Sequence, residues 1–146
     1  MKRLLTLTIL MALAGMAVAQ DTMKVVKSDG LVWKEHPVFK GAQITTLIGD
    51  PPEVVVQRVK IPPNSKIPRH THSYAEVITV LRGHYGNAMG DEKGEVLPPG
   101  SVFALPAVHV HHTWTENEEV EVQASFVGPA NITFIDPADD PRKKTQ

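Results

Sequence analysis

With 146 residues, a formal net charge of −1 and no cysteine, the chain has the length of one domain with a real core. Its charge gives no electrostatic footprint for nucleic acid. The lack of cysteine excludes thiolate metal sites, disulfide staples and cysteine nucleophiles, so any metal must be held by His, Glu or Asp.

In chain order, the first segment is MKRLLTLTILMALAGMAVAQ. Basic Lys2 and Arg3, an apolar run from Leu4 to about Val18, and the small pair Ala17 and Ala19 read as a secretory signal peptide, residues 1–19, cleaved after Ala19. A membrane span wants roughly 20 apolar residues and different flanks. There is no twin arginine, so export of the unfolded chain is expected, to a periplasmic or secreted destination with no stable membrane span after cleavage. Loss of Lys2 and Arg3 leaves a mature chain, residues 20–146, with a charge of about −3.

After Gln20 the sequence breaks into short stretches rich in Val, Ile, Thr and Phe. Strands are expected near Gln43 to Ile48, Glu53 to Ile61, Ala75 to Leu81, Tyr85 to Met89, Ser101 to Leu105, Val108 to Trp114, Glu119 to Val127 and Asn131 to Ile135. Asp50-Pro51-Pro52, Ile61-Pro62-Pro63-Asn64, Leu97-Pro98-Pro99-Gly100 and Gly128-Pro129 punctuate them, because proline cannot donate to a β ladder. This pattern predicts an all-β barrel or sandwich in a single domain, its core at about residues 43–135. The C-terminal Asp136 to Gln146 is expected to cover one edge or to be partly mobile.

Six of the seven histidines lie between His70 and His112. The segment RHTHSYAEVITVLRG, Arg69 to Gly83, reads as a β-strand. Side chains alternate along a strand, so His70, His72 and Glu76 are expected on one side, converging on one cation. Several imidazoles with a carboxylate suit divalent zinc, iron, manganese, nickel or copper rather than calcium. A fourth ligand is expected from Val108-His109-Val110-His111-His112. If that is a strand, His109 and His111 share one face and His112 takes the other, and spacing alone does not choose.

These residues resemble the two motifs of the cupin superfamily. His70, His72, Glu76 and Gly83 fit the first, His-x-His, three or four residues, Glu, six residues, Gly, with Asn64 where the family's leading glycine stands. In the second motif a proline precedes the metal-binding histidine by five positions, as Pro106 precedes His111, which selects His111. Val108 stands where the family has glycine, and Thr115 where many members have asparagine. The resemblance implies a small single-domain, RmlC-like double-stranded β-helix, a jelly-roll barrel. Its cation would be bound by His70, His72, Glu76 and His111, leaving two positions open on an octahedral ion. Tyr74, Ile78 and Val80 would then line the ligand side of the first strand. A homodimer packed through its sheets is also in keeping with the family.

Other residues have blander readings. His109 and His112 would serve the ligands' surroundings at most. His84 either lines the pocket or sits at a turn, and His36 beside Pro37 is structural. Trp33, Phe39, Phe103, Trp114 and Phe126 read as barrel core, and Glu95 as a loop or turn charge. Gln123, polar in an apolar strand, either faces the cavity or is structural.

The functional expectation is an exported metal-dependent enzyme of oxygenase, isomerase or lyase type acting on a small molecule, with Tyr74 or His109 as candidate acid or base. The alternative is a non-catalytic cupin that binds or stores a metal or small ligand. A transcriptional sensor would need an attached DNA-binding helical domain, which the mature sequence lacks. For a chain folding outside the cell, the affinity order favours zinc or copper, with iron, manganese and nickel also compatible.

Overall fold

The computed structural model describes residues 23–49 and 53–143; the expected signal peptide and its cleavage site lie outside the described residues. The strands are β1 (Lys34–Glu35), β2 (Gln43–Ile48), β3 (Val54–Ile61), β4 (Lys66–Thr71), β5 (Glu76–Arg82), β6 (Tyr85–Met89), β7 (Glu95–Leu97), β8 (Val102–Leu105), β9 (His111–Thr115), β10 (Val120–Val127) and β11 (Thr133–Phe134). All pair antiparallel. A six-stranded sheet runs β1-β2-β3-β10-β5-β8, and a five-stranded sheet runs β11-β4-β9-β6-β7. Strands distant in sequence become neighbours, as where β10 lies between β3 and β5. This is a jelly roll of two packed sheets. No described helix is long and apolar enough to cross a membrane.

Period-two burial decides what faces inward. In β10, Val120, Val122, Ala124 and Phe126 are buried while Glu121, Gln123 and Ser125 are not. Val55, Val59 and Ile61 of β3 and Ile78 and Val80 of β5 join them in one apolar cluster. Each such side chain taken out of water contributes about 1.5–3 kcal/mol. Phe39 and Phe103 pack against this cluster. Trp114 instead lies over Gly86, where a Cβ would come within 2.0 Å of the indole. Trp33 is half-buried under Lys60, whose ammonium is 4.0 Å from the ring centroid.

The expected strand from Arg69 to Gly83 is two strands in different sheets. β4 ends at Thr71, Ser73 and Tyr74 bend, and β5 begins at Glu76. Asn131 secures the bend: its Oδ1 accepts from Ser73 N at 2.9 Å, and its Nδ2 donates to Ser73 Oγ. β4 starts before that expected strand, at Lys66, with Pro68 inside it, and β7 forms at Glu95–Leu97, where a loop or turn charge is expected.

The second histidine segment also starts later than expected. Ala107 and Val108 form a turn, and β9 begins at His111. Among the described residues, Asn64 and Val108 are the non-glycine residues with left-handed backbone, φ 56° and 57°, at the two positions where the sequence lacks the expected glycine. At Gly83 (φ 72°) a Cβ would come within 2.5 Å of Glu119 O, so both conformation and space require glycine. The C-terminal segment continues beside β4 through Ile135 N to Arg69 O, 2.9 Å, and then makes two short 3-10 turns, Pro137–Asp139 and Pro141–Lys143.

Candidate metal centre

Both sheets and the corner between them contribute to one polar cluster. His70 and His111 are direct cross-strand partners on β4 and β9, with ring centroids 4.1 Å apart. Glu76 enters from the opposite sheet, at the first residue of β5. His72 comes from the bend, and its carbonyl accepts from Val108 N at 2.8 Å, tying the two histidine-bearing turns together. Burial leaves His70 and His111 each 2% exposed and Glu76 7%.

One ligand atom from each of His70, His72 and His111 lies within 4.8 Å of the other two, so this group could hold a metal ion. Glu76 Oε1 is 3.4 Å from His72 Nε2 and 3.8 Å from His111 Nε2. Ligand atoms at right angles on an ion with bonds of about 2.1 Å lie about 3 Å apart, so a small inward movement would close the set.

The backbone fixes the tautomers. Nδ1 of His70 faces Pro68 O at 2.7 Å, that of His72 faces Asn131 O at 2.5 Å, and that of His111 faces His109 O at 3.3 Å. A carbonyl only accepts, so each Nδ1 carries the proton and donates it, and each Nε2 keeps its lone pair for the interior. Burial, together with the neighbouring imidazoles, lowers His70 to a pKa of about 3 and His111 to about 4, so both imidazoles are neutral at neutral pH. Burial pushes the Glu76 carboxyl up, against the pull of His72.

The cluster borders a cavity of about 90 Å³ whose wall includes Ile78, Tyr85, Phe103, Val122 and Phe126. Tyr74 lines it too, stacked between Phe126 and His72 at centroid distances of 4.3 and 5.1 Å. Burial and the Glu76 charge push the Tyr74 phenol above its ordinary range, which keeps it protonated. Val80, expected on the ligand side, is instead fully buried in the apolar cluster and is not among the residues lining the cavity.

The remaining histidines lie elsewhere. His109 is exposed and serves through its carbonyl, the acceptor for His111. His112 faces outward, stacked on Trp114 at 5.8 Å. His84 is at a turn, with Nδ1 2.6 Å from Glu118 Oε1. Gln123 is also outside, accepting from Arg58 Nε at 3.3 Å.

The cavity wall also holds polar residues that sequence reasoning does not single out, Thr113 among them. Gln57 lies on the inward side of β3 with Val55, Val59 and Ile61, and alternation along Val-x-Gln-x-Val-x-Ile was the signal for it. His36 also lines the cavity, brought there by a tertiary fold-back that local sequence does not announce.

No curated protein sequence matches the chain. Among solved structures, the chain is similar to the polyketide cyclase RemF from Streptomyces resistomycificus, with 22% identity and a TM-score of 0.73 over 86% of this chain and 94% of that one. It is also similar to the DMSP lyase DddQ from Ruegeria pomeroyi, with 19% identity and a TM-score of 0.61 over 72% and 61% of the respective chains. An RmlC-like cupin from Shewanella frigidimarina gives 15% identity and a TM-score of 0.64 over 75% and 95%. At these identities the likeness is one of fold. Residues 57–128 match the family model of the cupin domain, which spans β4 to β10 and every residue of the histidine and glutamate cluster; the chain is a cupin-domain protein with the jelly-roll barrel of that superfamily.

Proposed function

We propose that the protein is a metal-dependent enzyme acting on a small molecule, with His70, His72, Glu76 and His111 holding one divalent transition metal. The observation that carries this reading is the company Glu76 keeps. A carboxylate 7% exposed shares its cluster with two imidazoles held neutral, His70 and His111, and no Lys or Arg is among the described residues lining its cavity. An uncompensated buried charge is costly, and a cation at the three Nε2 lone pairs would compensate it. The donor set of three nitrogens and one oxygen suits zinc, copper, iron, manganese or nickel, and the affinity order favours zinc or copper.

When bound, such an ion supplies Lewis-acid polarisation of a substrate oxygen or, if redox-active, activation of oxygen. The chain's own residues do the rest. The apolar wall excludes water and limits size: about 90 Å³ is less than the roughly 150 Å³ apolar cavity that holds benzene. The protonated Tyr74 phenol is a hydrogen-bond donor at neutral pH and can act as an acid. The similar structures include a polyketide cyclase, a DMSP lyase and an oxalate oxidase in complex with glycolate, which supports small-molecule chemistry. The N-terminal sequence supports an exported enzyme, periplasmic or secreted.

The test is elemental analysis of protein purified from the exporting cell, joined to a mass-spectrometric search for a co-purified small molecule. One zinc or copper per chain is expected. Protein recovered without a transition metal, and unable to take one up, would refute the metal-dependent reading; iron or manganese alone would refute the preference for zinc or copper.

A further inference from the structure

His36 lies between β1 and β2 and stacks on Phe39, with ring centroids 4.3 Å apart and planes within 12°. Phe39 in turn approaches His70 at 6.2 Å. Two backbone donors, Val38 N at 3.1 Å and Phe39 N at 3.0 Å, point at His36 Nδ1. An atom that accepts two N–H groups carries no proton of its own, so the neutral ring has its hydrogen on Nε2. This tautomer is opposite to that of His70, His72 and His111. Burial lowers the His36 pKa to about 4, so the ring is neutral at neutral pH. His36 is among the residues lining the cavity, and with Nδ1 committed to its own turn, Nε2–H is the ring's remaining donor.

We propose that His36 is a substrate-positioning residue whose Nε2–H hydrogen-bonds a carboxylate oxygen of a small ligand in the cavity. The proposal rests on the metal-centre reading, because charge balance selects the carboxylate: three neutral imidazoles, one ionised Glu76 and a divalent ion leave one positive charge. The cavity volume limits the enclosed part of the ligand to the space of about three waters, at roughly 30 Å³ each. That suits a short carboxylic acid. The locked tautomer means that the donor is in place before the ligand arrives, with no proton to be moved.

The test uses zinc-loaded full-length protein, with sodium acetate as the probe. Imidazole ¹⁵N NMR of wild type should show His36 protonated at Nε2 with Nδ1 bare, and acetate should shift the Nε2–H resonance. His36→Asn is the discriminating variant, because Asn Oδ1 can accept from Val38 N and Phe39 N in place of Nδ1 while no donor replaces Nε2–H. It should retain zinc stoichiometry and thermal midpoint yet bind acetate about tenfold or more weakly, the usual effect of losing one hydrogen bond to a charged group. Equal acetate affinity in wild type and H36N, a proton on Nδ1, or no acetate binding by zinc-loaded wild type would overturn the proposal. Failure of wild type to take up zinc would instead sink the metal-centre reading, since the His36 tautomer can be read without metal.

Discussion

Acidification of the metal-free protein tests the buried imidazoles directly. In the unfolded chain His70 and His111 have the ordinary pKa of 6.5, and in the folded protein these fall to about 3 and about 4. From pH 7 to pH 5 the unfolded state therefore takes up protons that the folded state refuses, so stability falls as pH falls. Integrated over that interval, each imidazole contributes a loss of about 2 kcal/mol, or about 4 kcal/mol together. His36 adds a smaller, solvent-screened loss in the same direction. Glu76 works in the opposite sense: burial raises its folded pKa, so the folded state takes up that proton first, which offsets part of this loss. The net expectation is a loss of stability between pH 7 and pH 5, smaller than the about 4 kcal/mol of the two imidazoles alone. Urea unfolding of chelator-treated protein, followed by Trp33 and Trp114 fluorescence, measures it. Glu76→Gln removes the offset and should steepen the loss toward about 4 kcal/mol. Stability that is flat over this interval in both proteins would refute the account of neutral, desolvated imidazoles.

Two further substitutions probe the turns that hold the cluster. Val108 is 71% exposed with φ 57°, a conformation that costs a β-branched residue about 1–2 kcal/mol, so Val108→Gly should raise the thermal midpoint by a few degrees; an unchanged or lower midpoint would contradict the strain. Asn131→Ala removes the side-chain clasp on Ser73 and loosens the carbonyl that holds His72 Nδ1. It should weaken metal binding about tenfold in calorimetric titration with the fold intact by circular dichroism, and unaltered affinity would show that the bend holds without the clasp.

His70, His72 and Glu76 were legible as a group, but alternation along one strand is not what unites them. Their spacing fits a corner: β4 delivers His70 from one sheet, the Asn131-clasped bend carries His72, and β5 starts with Glu76 in the other sheet. Local pattern registers the residue types at such a corner and misses the change of sheet, which depends on pairing with β9 and β10, distant in sequence. The turn at Val108 was obscured because a valine there reads as strand, although its backbone adopts the conformation natural to glycine. Gln57 was available from alternation, whereas Gln123 drew attention by its apolar neighbours and proved to face Arg58 on the other side of its strand. His36 could not be placed from sequence, since its position depends on the chain before β2 folding over the cavity.

The central claim is that His70, His72, Glu76 and His111 form one cation site, and calorimetric titration of the metal-free chain with zinc tests it most directly when wild type, His111→Ala and His112→Ala are compared. His112, one residue away, faces the opposite side of β9 and stacks on Trp114. The account predicts one zinc per chain in wild type and H112A, and loss of most of the affinity in H111A. Equal weakening in the two variants, or no zinc bound by wild type, would contradict it.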